Sequence, residues 1–181
     1  MNRAAYITLA VMAVVVLLGI GYIFLLDESE KQTRNETPAA RALLPGTETE
    51  SFTDKDGNPL SVADDFGKVI VAISWASWCP QCADDIKKLD ELAREFEGKD
   101  VVFYAINRAE DKYSAERYLA TMTAPERVKI ILDPKDHFFA ASAGYAMPET
   151  ILYDREGGVA AHIRGNLAPD ELKNAIYTAL E

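Results

Sequence analysis

Val69-Ile70-Val71-Ala72-Ile73 is an unbroken apolar run, mostly β-branched, and the chain's only two cysteines, Cys79 and Cys82, stand just beyond it. An apolar run without polar alternation predicts a strand covered on both faces, the condition of a sheet lying between helices. After Pro80, apolar residues at Ile86, Leu89, Leu92, Ala93 and Phe96 recur at helical spacing, with Lys87, Lys88, Asp90, Glu91 and Arg94 on the other side. Gly98 is the expected stop. A buried strand that hands two thiols to the start of a helix restricts the chain to α/β architecture.

The rest of the chain repeats that alternation. Val101–Ile106 predicts a second buried strand, Ser114–Met122 a short helix, and Val128–Leu132 a third strand closed by Asp133-Pro134. Phe138–Ala143 suits a short helix. Thr150–Tyr153 and Val159–Ile163 read as strands joined by the turn Asp154-Arg155-Glu156-Gly157-Gly158, and Pro169–Leu180 as a closing helix with Pro169 in its first turn. Asp56-Gly57-Asn58-Pro59 lies between two short extended segments within Phe52–Leu60 and predicts an N-terminal β-hairpin. The expected domain, residues 50–181, is therefore a sandwich on a mixed central sheet.

Ahead of it, Ala4–Leu26 contains no charged residue, long enough to cross a bilayer as a helix. Arg3 precedes this run and Asp27, Glu28 and Glu30 follow it, which predicts a cytoplasmic N-terminus and an extracytoplasmic domain. The run ends Tyr22-Ile23-Phe24-Leu25-Leu26, without the small-x-small site of a cleaved signal, so residues 1–26 read as a retained anchor. Residues 27–49 are polar, with Pro38 and Pro45, and suit a solvated tether. A formal net charge of −10 and the lack of a basic run argue against a nucleic-acid partner.

Two thiols at a helix start form a natural redox pair, because the unsatisfied N–H groups and dipole of that helix end favour a thiolate. Cys79 is the expected exposed nucleophile and Cys82 the resolving thiol, with Pro80 tolerated in the first turn. Zinc would need two further ligands, and His137 and His162 lack finger-like spacing, so no metal is expected. A Cu(I)-delivery module using the thiols and His137 is an alternative. Trp75 and Trp78 read as packing residues, Trp78 also as a candidate for the partner surface.

Trp75-Ala76-Ser77-Trp78-Cys79-Pro80-Gln81-Cys82 after a buried strand, together with Met147-Pro148-Glu149-Thr150 before a later one, resembles the thioredoxin superfamily. With the anchor and the hairpin, it is most similar to the membrane-tethered branch of TlpA, ResA and the cytochrome c maturation thioredoxins. The resemblance implies a thioredoxin-like three-layer α/β sandwich, a cis Pro148, and a Met147 backbone that docks the substrate chain. It also implies a supporting acid at Asp85, three positions after Cys82, with Ile73 where cytosolic members carry a strand Asp. Trp78, Pro80, Met147 and Glu149 would bind substrate, Glu149 within an acidic groove unless it is simply a solvated strand-start residue. The implied activity is reduction of protein disulfides with no cofactor beyond the Cys79–Cys82 disulfide. The implied partners are protein thiols such as apocytochrome c or a haem-insertion factor, and a membrane-embedded electron donor. An oxidase or isomerase for secreted proteins is the alternative within the same chemistry.

Overall fold

The computed structural model describes residues 52–181 and, ahead of them, Met12 alone; apart from that residue the predicted anchor and tether lie outside the described residues. No helix among the described residues is long and apolar enough to cross a membrane.

A seven-stranded sheet runs in the order β2-β1-β5-β4-β3-β6-β7. Its strands are β1 (Phe52–Asp54), β2 (Pro59–Leu60), β3 (Val69–Trp75), β4 (Val101–Arg108), β5 (Val128–Asp133), β6 (Glu149–Tyr153) and β7 (Val159–Arg164). β3, β4 and β5 are parallel, while β1 and β2 at one edge and β6 and β7 at the other are antiparallel. Four helices accompany it: α1 (Cys82–Arg94), α2 (Lys112–Leu119), α3 (His137–Ala141) and α4 (Pro169–Leu180). A 3-10 helix, Val62–Asp65, follows the hairpin.

β3 lies inside the sheet, between β4 and β6, and all seven of its residues are buried. Its alternation divides the core: Val69, Val71, Ile73 and Trp75 pack with Ile86 and Leu89 of α1 and Leu172 and Ile176 of α4. Ile70 and Ala72 point the other way, to Val62, Ala63 and Phe138. Helical elements thus cover both faces, giving the three layers that the unbroken apolar run predicts. Burying side chains such as Ile86 and Leu89 contributes about 2 kcal/mol each, which holds α1 where the amphipathic pattern alone could not.

The elements predicted within residues 52–181 all form, with shifted ends. α1 stops at Arg94, before Gly98, because Glu95–Gly98 continue as turns in which Phe96 folds its buried ring onto Phe103 and Tyr177. α2 begins at Lys112 rather than Ser114, since Asp111 caps it by accepting a hydrogen bond from the Ser114 amide. In the hairpin, Gly57 takes φ of +89°, and the Asp54 carboxylate accepts from the Asp56 and Asn58 amides.

Candidate redox site

β3 ends at Trp75, and the backbone then turns twice before α1 begins at Cys82 itself. Cys79 N donates to Ala76 O at 3.0 Å, and Cys82 N to Cys79 O at 3.3 Å. That turn brings the two Cα atoms to 5.5 Å, and the cysteines are joined as a disulfide. Cys82 occupies the first helical position, where free N–H groups and the helix dipole favour negative charge. The expected exposure of Cys79 is not found. In this disulfide-bonded structure it is 2% exposed and belongs to the apolar core cluster that also contains Trp75, Ile163 and Leu167. Its neighbours are open instead: Trp78 is 61% exposed, and Pro80 is exposed.

The two tryptophans part company. Trp75 is buried and stacks on Tyr118 with ring centroids 5.5 Å apart. The Tyr118 hydroxyl donates to Cys79 O at 3.2 Å, tying α2 to the Cys79 backbone. Burial is the main cause that pushes the Tyr118 phenol above its ordinary range, so it stays a donor at neutral pH. Trp78 packs nothing comparable and faces outward.

The Met147–Pro148 peptide bond is cis. Pro148 O accepts from Gly165 N at 2.9 Å, and Met147 is half-buried against the cluster that holds both cysteines. Two sequence-distant segments, one after β3 and one before β6, therefore meet in one apolar patch. Register explains it: β6 pairs antiparallel with β3, placing Glu149 opposite Ser74.

Glu149 is not a solvated strand-start residue. It is 1% exposed, and Oε2 accepts from the amides of Tyr145 and Ala146 at 3.0 and 3.3 Å. Oε1 lies 2.5 Å from Nε2 of His162 and 3.2 Å from Nε of Arg164, aligned as a hydrogen bond to neither. The carboxylate thus braces the loop that leads into Met147 from beneath. His162 faces this buried charge from β7, where it pairs with Ile151 across the β6–β7 ladder. His137 begins α3 and is exposed.

Asp85 is 1% exposed in the first turn of α1. Its Oδ1 accepts from the Lys88 ammonium and Oδ2 from the Leu167 amide, both at 2.8 Å. It therefore clamps the loop after β7 beneath the cysteines. Ile73 is fully buried in the same cluster as the pair, so β3 delivers no acid there. Among the described residues no group of three or more His, Cys, Asp or Glu could hold a metal ion.

Residues 35–179 match the model of the Redoxin family. The chain belongs to that family. The chain is similar to the thiol-disulfide oxidoreductase ResA of Geobacillus thermodenitrificans (strain NG80-2), 26% identical over 124 residues, covering 67% of this chain and 69% of the relative. The thiol:disulfide interchange protein DsbE of Pseudomonas aeruginosa is 32% identical over 107 residues, 59% of this chain and 56% of that protein. Among solved structures, the exposed lipoprotein thioredoxin of Streptococcus pneumoniae strain TIGR4 superposes with a TM-score of 0.64 at 19% identity, over 71% of this chain and 98% of that one. The fold is thioredoxin-like.

Sequence reasoning missed two residues of this site, Glu110 and Tyr118. Glu110 follows β4 and accepts hydrogen bonds from Ser77, and Tyr118 is half-buried on α2. The available signal was Asn107, a polar residue within an apolar strand, at the carboxyl end of β4 next to the carboxyl end of β3. In parallel sheets that end is where sites form.

Proposed function

We propose that this protein is a membrane-anchored, extracytoplasmic thiol-disulfide oxidoreductase that reduces protein disulfides through Cys79 and Cys82. The observation that carries the reading is the Cys79–Cys82 disulfide at the start of α1, sharing one apolar patch with the cis Met147–Pro148 loop. The names of the similar proteins, a thiol-disulfide oxidoreductase and a thiol:disulfide interchange protein, support the same chemistry.

The structure holds the oxidised form, so the reductive cycle begins once a donor has supplied two electrons and two protons. A membrane-embedded dithiol donor fits a protein whose residues 4–26 act as an anchor. The Cys79 thiolate then attacks one sulfur of the partner's disulfide. A Cys79–partner bond forms, the partner's own S–S bond breaks, and its second sulfur leaves and takes a proton. Cys82, deprotonated, attacks Cys79 and releases the remaining partner thiol, restoring the disulfide. Two electrons move to the partner and the protein is oxidised by the same number.

In this cycle the Met147 backbone pairs with the extended partner chain, Trp78 and Pro80 form the open rim it touches, and Glu149 holds the docking loop. Asp85, the buried carboxylate one turn beyond Cys82, takes the proton that Cys82 gives up. Apocytochrome c or a haem-insertion factor is the partner class we favour.

Trapping tests the proposal. Cys82→Ser in cells should leave Cys79 joined to its partner in a mixed disulfide that reducing agent releases, and Cys79→Ser should abolish the adduct. Absence of any disulfide-linked partner would refute the redox reading. A reduction potential as oxidising as about −120 mV, rather than one near about −270 mV, would reverse the proposed direction.

A further inference from the structure

Between Trp75 and Cys82 the chain has left the β3 ladder and has not yet entered α1, so little regular structure fixes the backbone that presents Cys79. The Tyr118 hydroxyl holds Cys79 O, and a second side chain holds the start of the turn. Glu110, from the loop between β4 and α2, accepts from the Ser77 amide at 2.8 Å through Oε2, and its Oε1 accepts from the Ser77 hydroxyl. Oε2 also accepts from Asn107 Nδ2 at 2.7 Å. Asn107 is fully buried on β4, in register with Trp75 of β3, so the carboxylate is itself fixed to the sheet. Ser77 lies two residues before Cys79, and the next turn is closed by the bond from Cys79 N to Ala76 O.

We propose that Glu110 is a positioning residue, which locks the Ala76–Cys79 turn through both donors of Ser77 so that Cys79 meets a partner disulfide in one orientation. The inference rests on the thiol-disulfide reading above. Its role is geometric rather than electrostatic, because a carboxylate near a thiolate disfavours the charged form. Glutamine separates the two effects atom by atom. Its amide oxygen in the place of Oε2 accepts from Ser77 N and Asn107 Nδ2, while its NH2 in the place of Oε1 donates to the Ser77 hydroxyl oxygen. All three bonds survive and the charge does not. Alanine removes all three, and aspartate keeps the charge but is one methylene too short to reach both Ser77 donors.

The test is single-turnover reduction of a disulfide-containing peptide by the reduced full chain, measured across the pH range of thiolate formation. Wild type, Cys79→Ser, Glu110→Gln, Glu110→Ala, Glu110→Asp and Ser77→Ala are compared. Glu110→Gln should keep the plateau rate within about threefold of wild type, whereas Glu110→Ala and Glu110→Asp should each lower it at least about tenfold, the scale on which misplaced reacting groups act. Ser77→Ala, which removes one of the three bonds, should fall between. Wild-type rates in Glu110→Ala, or equal losses in the Gln and Ala variants, would overturn the proposal. If Glu110→Ala does not fold, the Gln and Asp pair decides: an Asp variant as fast as wild type, or a Gln variant as slow as Asp, would overturn it. Wild type reducing no better than Cys79→Ser would instead refute the thiol-disulfide reading itself.

Discussion

Protonating Asp65 should unlatch the side of the sheet away from the cysteines. Asp65, 7% exposed at the end of the 3-10 helix, accepts from Lys68 Nζ and Lys129 Nζ, each at 2.7 Å, and from the Tyr104 hydroxyl. Burial pushes its carboxyl up, but the bonds from Lys129, Lys68 and Tyr104 outweigh burial and bring it from 3.8 to about 2. At 1.36 kcal/mol per unit, that depression corresponds to at most about 2.4 kcal/mol. Both lysine side chains are nearly half exposed, at 46% and 48%, so solvent screening reduces it to about 1–2 kcal/mol. A carboxylate with a depressed folded value stabilises above its unfolded value, and that stability is lost as pH falls from 3.8 towards about 2. About half should be gone by pH 3. The assay is urea unfolding of wild type and Asp65→Asn at pH 7 and pH 3. The variant should be less stable by about 1–2 kcal/mol at pH 7, and the gap should close to about half that at pH 3. A gap that stays constant between the two pH values would refute the linkage.

Two further substitutions probe the site. Asp85→Asn keeps an acceptor for the Leu167 amide, so it should cost less than about 1 kcal/mol in denaturant unfolding while slowing release of the mixed disulfide, read by quenched-flow gel analysis. Unchanged release would remove Asp85 from proton transfer. Glu149→Ala strips the acceptor from the Tyr145 and Ala146 amides and the partner from Arg164, so thermal or urea unfolding should show a loss of about 3 kcal/mol; less than about 1 kcal/mol would show that the buried carboxylate does not brace the loop.

Much of this protein was written locally. The Val69–Ile73 run, the period of α1 and the turn at Asp56-Gly57 each encode an element through interactions within a few residues, and each forms where expected. The Cys79-Pro80-Gln81-Cys82 spacing likewise allows the disulfide, since three positions at a helix start bring the Cα atoms within bonding reach, while the bond itself is seen only in the fold. Element ends were less legible, because caps such as Asp111 compete with periodicity over single residues.

Long-range pairing decided the rest. Nothing in the local pattern says that β6 inserts beside β3, yet that pairing carries Met147–Pro148 to the cysteines and turns Glu149 inward to meet His162 and Arg164. A glutamate beside a proline reads as solvated until the strand on its far side is known, since burial of a charge depends on partners supplied by distant segments. Glu110 is the same case: an acid in a polar loop by sequence, and the acceptor for Ser77 only once β3 and β4 lie in register. The sequence by itself determined the thiols, the helix that begins on them and the layered α/β class, all of which depend on short-range spacing. Which carboxylates surround those thiols, and how far Cys79 is covered, were decided by strand order and register, because these bring together side chains that no local pattern connects.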